Sequence, residues 1–561
     1  MFSFRSLTVR LSTLFFLAVA FTLNAVPSFA QKRPSPKNSP SPKIRLVLGI
    51  TIDQFREDYL DRFGDLYGDG GFKRLLKGGA LFANAHYLHA CTYTAPGHGV
   101  ILTGSVAAQT GIIGNSWYDR ESGRNIESIT DPKYVGVPSG KGSAPTRLLV
   151  TTLGDQMKMA TGGQSRVIGV SLKDRSAILP AGRNADAAYW FDSKSGAMQT
   201  STYYMEKLPA WVEAFNARKI PDGWFGKSWE KILPEAAYAR SDRDDAPYEG
   251  RFAGGGQTFP HIIGVGDKPD VRFYEDFTKT PWSNDMLVDF AVAALENERL
   301  GADDAPDVLS VSFSANDILG HAFGPFSQEM EDMTVRTDRS IARLLDIVDK
   351  RVGLANTLVF LTADHGVAPI PEYSQARRLG GRRISEKAIL DAVYKALVKE
   401  YGDGEWIVGA SADSLYLNLE TIQAKKLDRD DVECTAGEAA LTVPGVATYF
   451  TRTQLLNGPL PPTDIARRVV MAFNPQRSGD VYLVPEPFAF FSEGISAGTT
   501  HGTPYPYDTH VPVLLMGPGV RPGKYFSEAS PSDIAPTLAA LLGVAAPSGT
   551  VGKILREAVE K

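Results

Sequence analysis

Short β-branched runs that are apolar on both faces recur along the chain, at 45–52, 166–171, 307–313, 357–362 and 511–516. A strand with one wet face alternates polar and apolar residues, so unbroken runs of this kind predict buried parallel strands. Helical patterns separate them. Over 328–350, Ile341, Leu344, Leu345 and Val348 mark one apolar stripe, and Ser532 is placed to cap a helix over 533–542 with Gly543 as its stop. The alternation predicts an α/β fold with a mostly parallel central sheet and helices on both faces. Two stretches break the rhythm: 188–280, aromatic and Gly/Pro-rich with Trp211, Trp224 and Trp229, and about 372–483. Both read as insertions that form a cap on one domain spanning 44–561.

The N-terminus departs from this pattern. Arg5 and Arg10 precede an apolar run over 11–26 and then Pro27-Ser28-Phe29-Ala30, the form of a secretory signal cut after Ala30. Ser12, Thr13, Thr22 and Asn24 interrupt the run, which falls short of a clean membrane span. Residues 31–43, rich in Pro, Ser and Lys, suit a flexible tether. The expected location is therefore periplasmic or secreted, with no stable membrane anchor.

Removing the two signal arginines takes the formal charge from −5 to −7, and no basic block follows. That argues against a nucleic-acid polymer as partner. The two cysteines, Cys91 and Cys434, are too few for a disulfide-stapled fold; one bridge or two buried thiols both remain open. Oligomeric state is not legible.

Candidate chemistry collects just after the predicted strands. Asp53 ends the first, Asp317 and His321 follow 307–313, and Asp364-His365 closes 357–362. In open α/β sheets ligands bind outside the carboxyl ends of the strands. Carboxylate with imidazole suits Zn²⁺, and the i, i+4 spacing of Asp317 and His321 puts both on one helical turn. Read singly, Asp53 is equally a helix cap and Asp364-His365-Gly366 equally a turn.

The strings Asp53, Thr94-Ala95-Pro96-Gly97-His98, Asp317-Ile318-Leu319-Gly320-His321, Thr362-Ala363-Asp364-His365-Gly366 and His501-Gly502 resemble, in order, the metal-site motifs of the alkaline phosphatase superfamily. The nearest likeness is to its secreted bacterial branch with a threonine nucleophile, which is related to nucleotide pyrophosphatase/phosphodiesterases. The resemblance implies two Zn²⁺, one held by Asp317, His321 and His501, the other by Asp53, Asp364 and His365 with the oxygen of Thr94. His510 stands as an alternative to His501. His86, His89, His98 and His261 receive no ligand role.

Pro96 at a helix start would leave free N–H groups and a positive dipole end beside the Thr94 hydroxyl, a phosphate cradle. Sulfatases of the same superfamily carry Cys or Ser two residues before the proline and a basic residue after it, where this chain has Thr94 and Gly97-His98. Asn115, Lys173 and Arg175 match the phosphate contacts of the monoesterase branch; on spacing alone Asn115 is a turn residue and the two cations are surface charges. The implied activity is hydrolysis of small phosphate monoesters through a phosphothreonine. The rivals are a phosphodiesterase with the same metals and a non-catalytic zinc- or phosphate-binding relative.

Overall fold

The computed structural model describes residues 43–559, apart from 255, 412 and 493–496. The expected signal sequence and nearly all of the tether lie outside the described residues. Four runs form strands close to where periodicity places them: β1 (Leu46–Ile52), β2 (Val167–Ser171), β4 (Asp307–Phe313) and β5 (Thr357–Thr362), with β3 (Ala187–Asp192) lying between β2 and β4 in the chain. They pair in parallel in the order β5-β1-β4-β2-β3, the centre of an 11-stranded sheet.

Alternate residues of these strands serve opposite faces. Leu48, Ile50, Leu309 and Val311 enter one core cluster, while Val47, Val308, Leu358 and Phe360 enter the other. Being buried on both sides explains the unbroken apolar runs. The run at 511–516 is corrected: its strand β6 (Val513–Met516) is antiparallel to β5 and to the short strand Ala80–Phe82. Burial on both faces leaves the same apolar signature whichever way the neighbour runs.

The stripe over 328–350 belongs to the helix Gln328–Arg351. The C-terminal cap is corrected from Ser532 to Ser530, whose side chain accepts from Ser532 N and opens a 3₁₀ turn, Pro531–Asp533, before the helix Ile534–Leu542. Gly543 ends that helix in the left-handed region.

The stretch 188–280 does not begin as an insertion, because β3 and the strand Ala197–Ser201 belong to the main sheet. Beyond them Val212, Phe215, Trp229 and Phe277 merge into the same core cluster as β1. The stretch 372–483 carries its own four-stranded sheet, Ile407–Ser411, Ser414–Leu417, Val481–Pro485 and Val446–Thr451 in spatial order, packed on the helices Glu386–Tyr401 and Arg429–Leu441. A separate apolar cluster holds it together, including Val393, Leu397, Leu415, Val432 and Leu483. Cys91 is buried, Cys434 is half-buried, and both are free thiols.

Candidate active site

Four neighbouring parallel strands, β5, β1, β4 and β2, end on one edge of the sheet, and each delivers a polar side chain there. Asp53 follows β1, Asp364 follows β5, Asp317 sits in the helix α1 (Ala315–Phe323) just after β4, and Lys173 follows β2. Each lies within four residues of its strand's end, which is why they converge although more than 300 residues separate Asp53 from Asp364.

Oxygen and nitrogen atoms of Asp317, His321 and His501 lie within 4.8 Å of one another. His321 Nε2 is 3.3 Å and His501 Nε2 3.5 Å from Asp317 Oδ1. Each ring is anchored by its other nitrogen, His321 Nδ1 at 3.0 Å from Thr499 O and His501 Nδ1 at 2.8 Å from Thr92 O. His365 Nδ1 meets Gly366 O at 2.9 Å in the same way. A carbonyl can only accept, so each Nδ1 carries the proton and each Nε2 is the nitrogen turned to the carboxylates. This is how imidazole is set up to ligate a metal. Burial and the neighbouring His365 and His321 rings push the His501 pKa well down, so it is neutral.

Asp53 and Asp364 form a second group, and here the third partner is His98, to which sequence reasoning gave no role. His98 Nδ1 lies 3.0 Å from Thr94 O and 3.3 Å from Asp364 Oδ2; its Nε2 lies 2.9 Å from Ser312 Oγ and 3.3 Å from Asp53 Oδ1. Burial would lower its pKa, but Asp53 and Asp364 raise it to about 9, and its two ring nitrogens hold the two carboxylates together. The available signal was its position four residues after Thr94 on a helix. His365 Nε2 is 3.2 Å from Asp364 Oδ2 and 3.9 Å from Asp317 Oδ1, between the two groups. Gln54, also missed, donates its N–H to Asp364 Oδ1 at 3.0 Å and its Nε2 to Asp317 Oδ1 at 2.9 Å.

The two residue groups are fit to hold metal ions. Asp364 Oδ2 is buried and faces the imidazoles of His98 and His365 at 3.3 and 3.2 Å without hydrogen-bond geometry, and carboxylates with carbonyl-anchored imidazoles match zinc rather than a hard, all-oxygen ion. His510 is elsewhere: its Nε2 lies 2.9 Å from Ala83 O and its ring stacks on His86 at 4.5 Å.

Thr94 opens a helix, Thr94–Ile101, with Tyr93 as N-cap. Pro96 is thus the third helical residue, not the first; the first four N–H groups of a helix have no internal acceptor, so proline costs no bond there. One expected free N–H is taken, since Ala95 N donates to Asn115 Oδ1 at 2.9 Å. Asn115 keeps its amide NH₂ to donate elsewhere. Gly97 is required by close approach, because a Cβ there would lie 2.1 Å from Asp364 O.

Lys173 and Arg175 stand at the start of a helix rather than on open surface. Lys173 is the N-cap of the helix α2 (Asp174–Ala181), and Arg175 lies in its first turn. Lys173 Nζ reaches Asp317 Oδ2 at 2.5 Å and Asp53 Oδ2 at 3.0 Å, tying the two groups together. Burial works against this charge, but Asp317 and Asp53 outweigh it and raise the Lys173 pKa. Arg175 lines a cavity of about 320 Å³ together with Thr94, Asn115, His321 and His501, and its buried Nε has no hydrogen-bond partner. Thr94 Oγ1 lies 3.5 Å from His365 Nε2.

The profile of the Type I phosphodiesterase / nucleotide pyrophosphatase family matches residues 47–507. Alkaline phosphatase PhoV of Synechococcus elongatus is 38% identical over 96% of this chain and 98% of its own length. A Myroides odoratus protein named calcium-transporting ATPase is also 38% identical, over 92% of this chain and 95% of its own. Alkaline phosphatase PafA of Elizabethkingia meningoseptica is 36% identical over 93% and 96%. The crystal structure of wild-type PafA matches with a TM-score of 0.86, covering 92% of this chain and 99% of that one.

Proposed function

The chain belongs to the Type I phosphodiesterase / nucleotide pyrophosphatase family, and from that premise we propose that it is a secreted, zinc-dependent alkaline phosphatase cleaving phosphate monoesters through a phosphothreonine at Thr94. Its phosphatase activity follows from near-full-length likeness to PhoV and PafA. The observation that carries the finer reading is the placement of Thr94. It starts a helix, lies beside both carboxylate–imidazole groups, and opens into a cavity walled by Asn115 and Arg175.

In the first step Thr94 Oγ1 forms a bond to phosphorus, the bond from phosphorus to the ester oxygen breaks, and the alcohol leaves with a proton. In the second, a water oxygen attacks phosphorus from the vacated side, the Thr94–phosphorus bond breaks, and Thr94 recovers its hydroxyl. Asn115 and Arg175 donate to the phosphoryl oxygens, with the Lys173 charge beside them. Asp317, His321 and His501 would hold one zinc and Asp53, Asp364 and His365 the other; zinc lowers the pKa of hydroxyl and water oxygens and neutralises charge on attacking and leaving groups. His98 holds Asp53, Asp364 and the Thr94 carbonyl in one arrangement. The 372–483 unit acts as the cap, its helix residue Glu386 lining the cavity with Phe490 and Phe491 just beyond it.

The test is acid quenching during turnover of a radiolabelled aryl phosphate. Label should map to the peptide bearing Thr94, and Thr94→Ala should lose it together with about 10³-fold or more in kcat, with zinc content near that of the parent. Activity within a few-fold of the parent would refute the threonine mechanism. Chelation should abolish turnover, with Zn²⁺ restoring it better than Mg²⁺.

A further inference from the structure

A second cavity of about 210 Å³ adjoins the catalytic one, and the two share Tyr93 and Asn115 in their walls. Its other wall comes from the 372–483 sheet, where Asp413 stands in the turn between the strands Ile407–Ser411 and Ser414–Leu417, with Tyr482 from Val481–Pro485 alongside. Asp413 is 7% exposed, and its Oδ2 has no hydrogen-bond partner. Burial raises its pKa to about 6 against hydrogen bonding from Tyr482 and Ser414, so at alkaline pH it is a carboxylate.

Among the described residues lining this cavity there is no lysine, arginine or histidine. The cation behind it, Arg477 over the Trp117 ring, is committed to the carbonyls of Gly111 and Arg147. A buried charge is tolerated when something pairs with it. Here the lining supplies hydroxyls and no cation, so the compensating charge must arrive with whatever enters. Asn115 is common to both cavities and, on the reading above, faces the phosphoryl group. The shared wall lets one molecule reach both cavities.

Resting on that reading, we propose that this cavity is the subsite for the alcohol portion of the substrate, and that Asp413 selects phosphomonoesters whose alcohol carries an ammonium group. Small polar wall residues, among them Ser411 and Asn125, leave room for a short, hydrated chain rather than a large apolar ring.

The experiment measures kcat/KM of the zinc-loaded protein for three matched series of two to four carbons: aminoalkyl, n-alkyl and carboxyalkyl phosphates. The expected order is cation over neutral over anion, with about tenfold or more between the ends. Asp413→Asn should compress that order toward equality, and Asp413→Glu should keep its direction. No charge order in the parent, or equal losses on all three series in Asp413→Asn, would overturn the proposal. Should Asp413→Asn fail to fold, as read by circular dichroism, the order in the parent alone decides. An aryl phosphate run in parallel separates the two readings: its turnover with no charge order refutes only the subsite, whereas a parent that hydrolyses no monoester refutes the phosphatase assignment on which the subsite rests.

Discussion

Lys173 and Arg175 leave the same turn toward different partners, and the difference separates their expected effects. Arg175 holds a buried guanidinium nitrogen with no protein acceptor, which leaves it free for the phosphoryl contact proposed above. Arg175→Ala should lower kcat/KM for an aryl monoester by about 10² to 10³, and far less for the methyl diester, which lacks the extra charged oxygen. On the proposed mechanism both charges also act on one phosphoryl group, so Lys173→Ala should show the same selectivity and the double variant should be non-additive. Equal losses on both substrates would reduce the pair to a structural role. Only Lys173 pairs with Asp53 and Asp317, so Lys173→Ala alone should lower the melting temperature of the chelated protein clearly, since it leaves buried carboxylates short of a counter-charge.

At the scale of elements, the position of Thr94, the proposed nucleophile, depends on how closely its helix approaches the loop after β5. Gly97 in Thr94–Ile101 makes that approach possible, and a methyl group would meet the Asp364 carbonyl carbon at 2.8 Å as well as its oxygen at 2.1 Å. Backbone must move, because neither atom belongs to a flexible side chain. Gly97→Ala should therefore shift Thr94 away from Asp364 and reduce turnover by about 10²-fold, the scale of an ångström of misplacement. It should also weaken metal retention, whereas Gly223→Ala, at a position with open space and no left-handed backbone, should leave turnover alone. Kinetics and metal analysis of the two variants make the comparison.

Over the whole molecule, a second buried acidic group bears on how stability responds to pH. Glu249 is 4% exposed, its Oε2 has no partner, and burial, with Glu329, Asp242 and Asp244 nearby, raises its pKa to about 10. The folded pKa lies above the ordinary 4.5, so the stability this proton contributes is complete below about 4.5 and is lost as pH rises toward about 10. At alkaline pH the folded protein carries that penalty. Glu249→Gln keeps the shape without the charge and should stabilise by about 1 kcal/mol or more at pH 9 while differing little at pH 4.5. Denaturant melts of parent and variant at the two pH values check the sign; an equal gap at both would show that Glu249 is not a buried acid.

The sequence by itself determined β1, β2, β4 and β5, the order of the motifs and most of the residues that meet at the strand ends. Apolar runs report burial directly, and β1, β2, β4 and β5 carry their polar residues to one edge whatever the intervening chain does. Direction of pairing was not legible, so β6 turned out antiparallel, because a strand covered on both faces has the same pattern either way. Only tertiary structure decided that His98 bridges Asp53 and Asp364, that Lys173 and Arg175 stand on a helix start, and that Asp413 faces a cavity beside Asn115. Each of these depends on distances between groups remote in the chain, and periodicity carries no information about them.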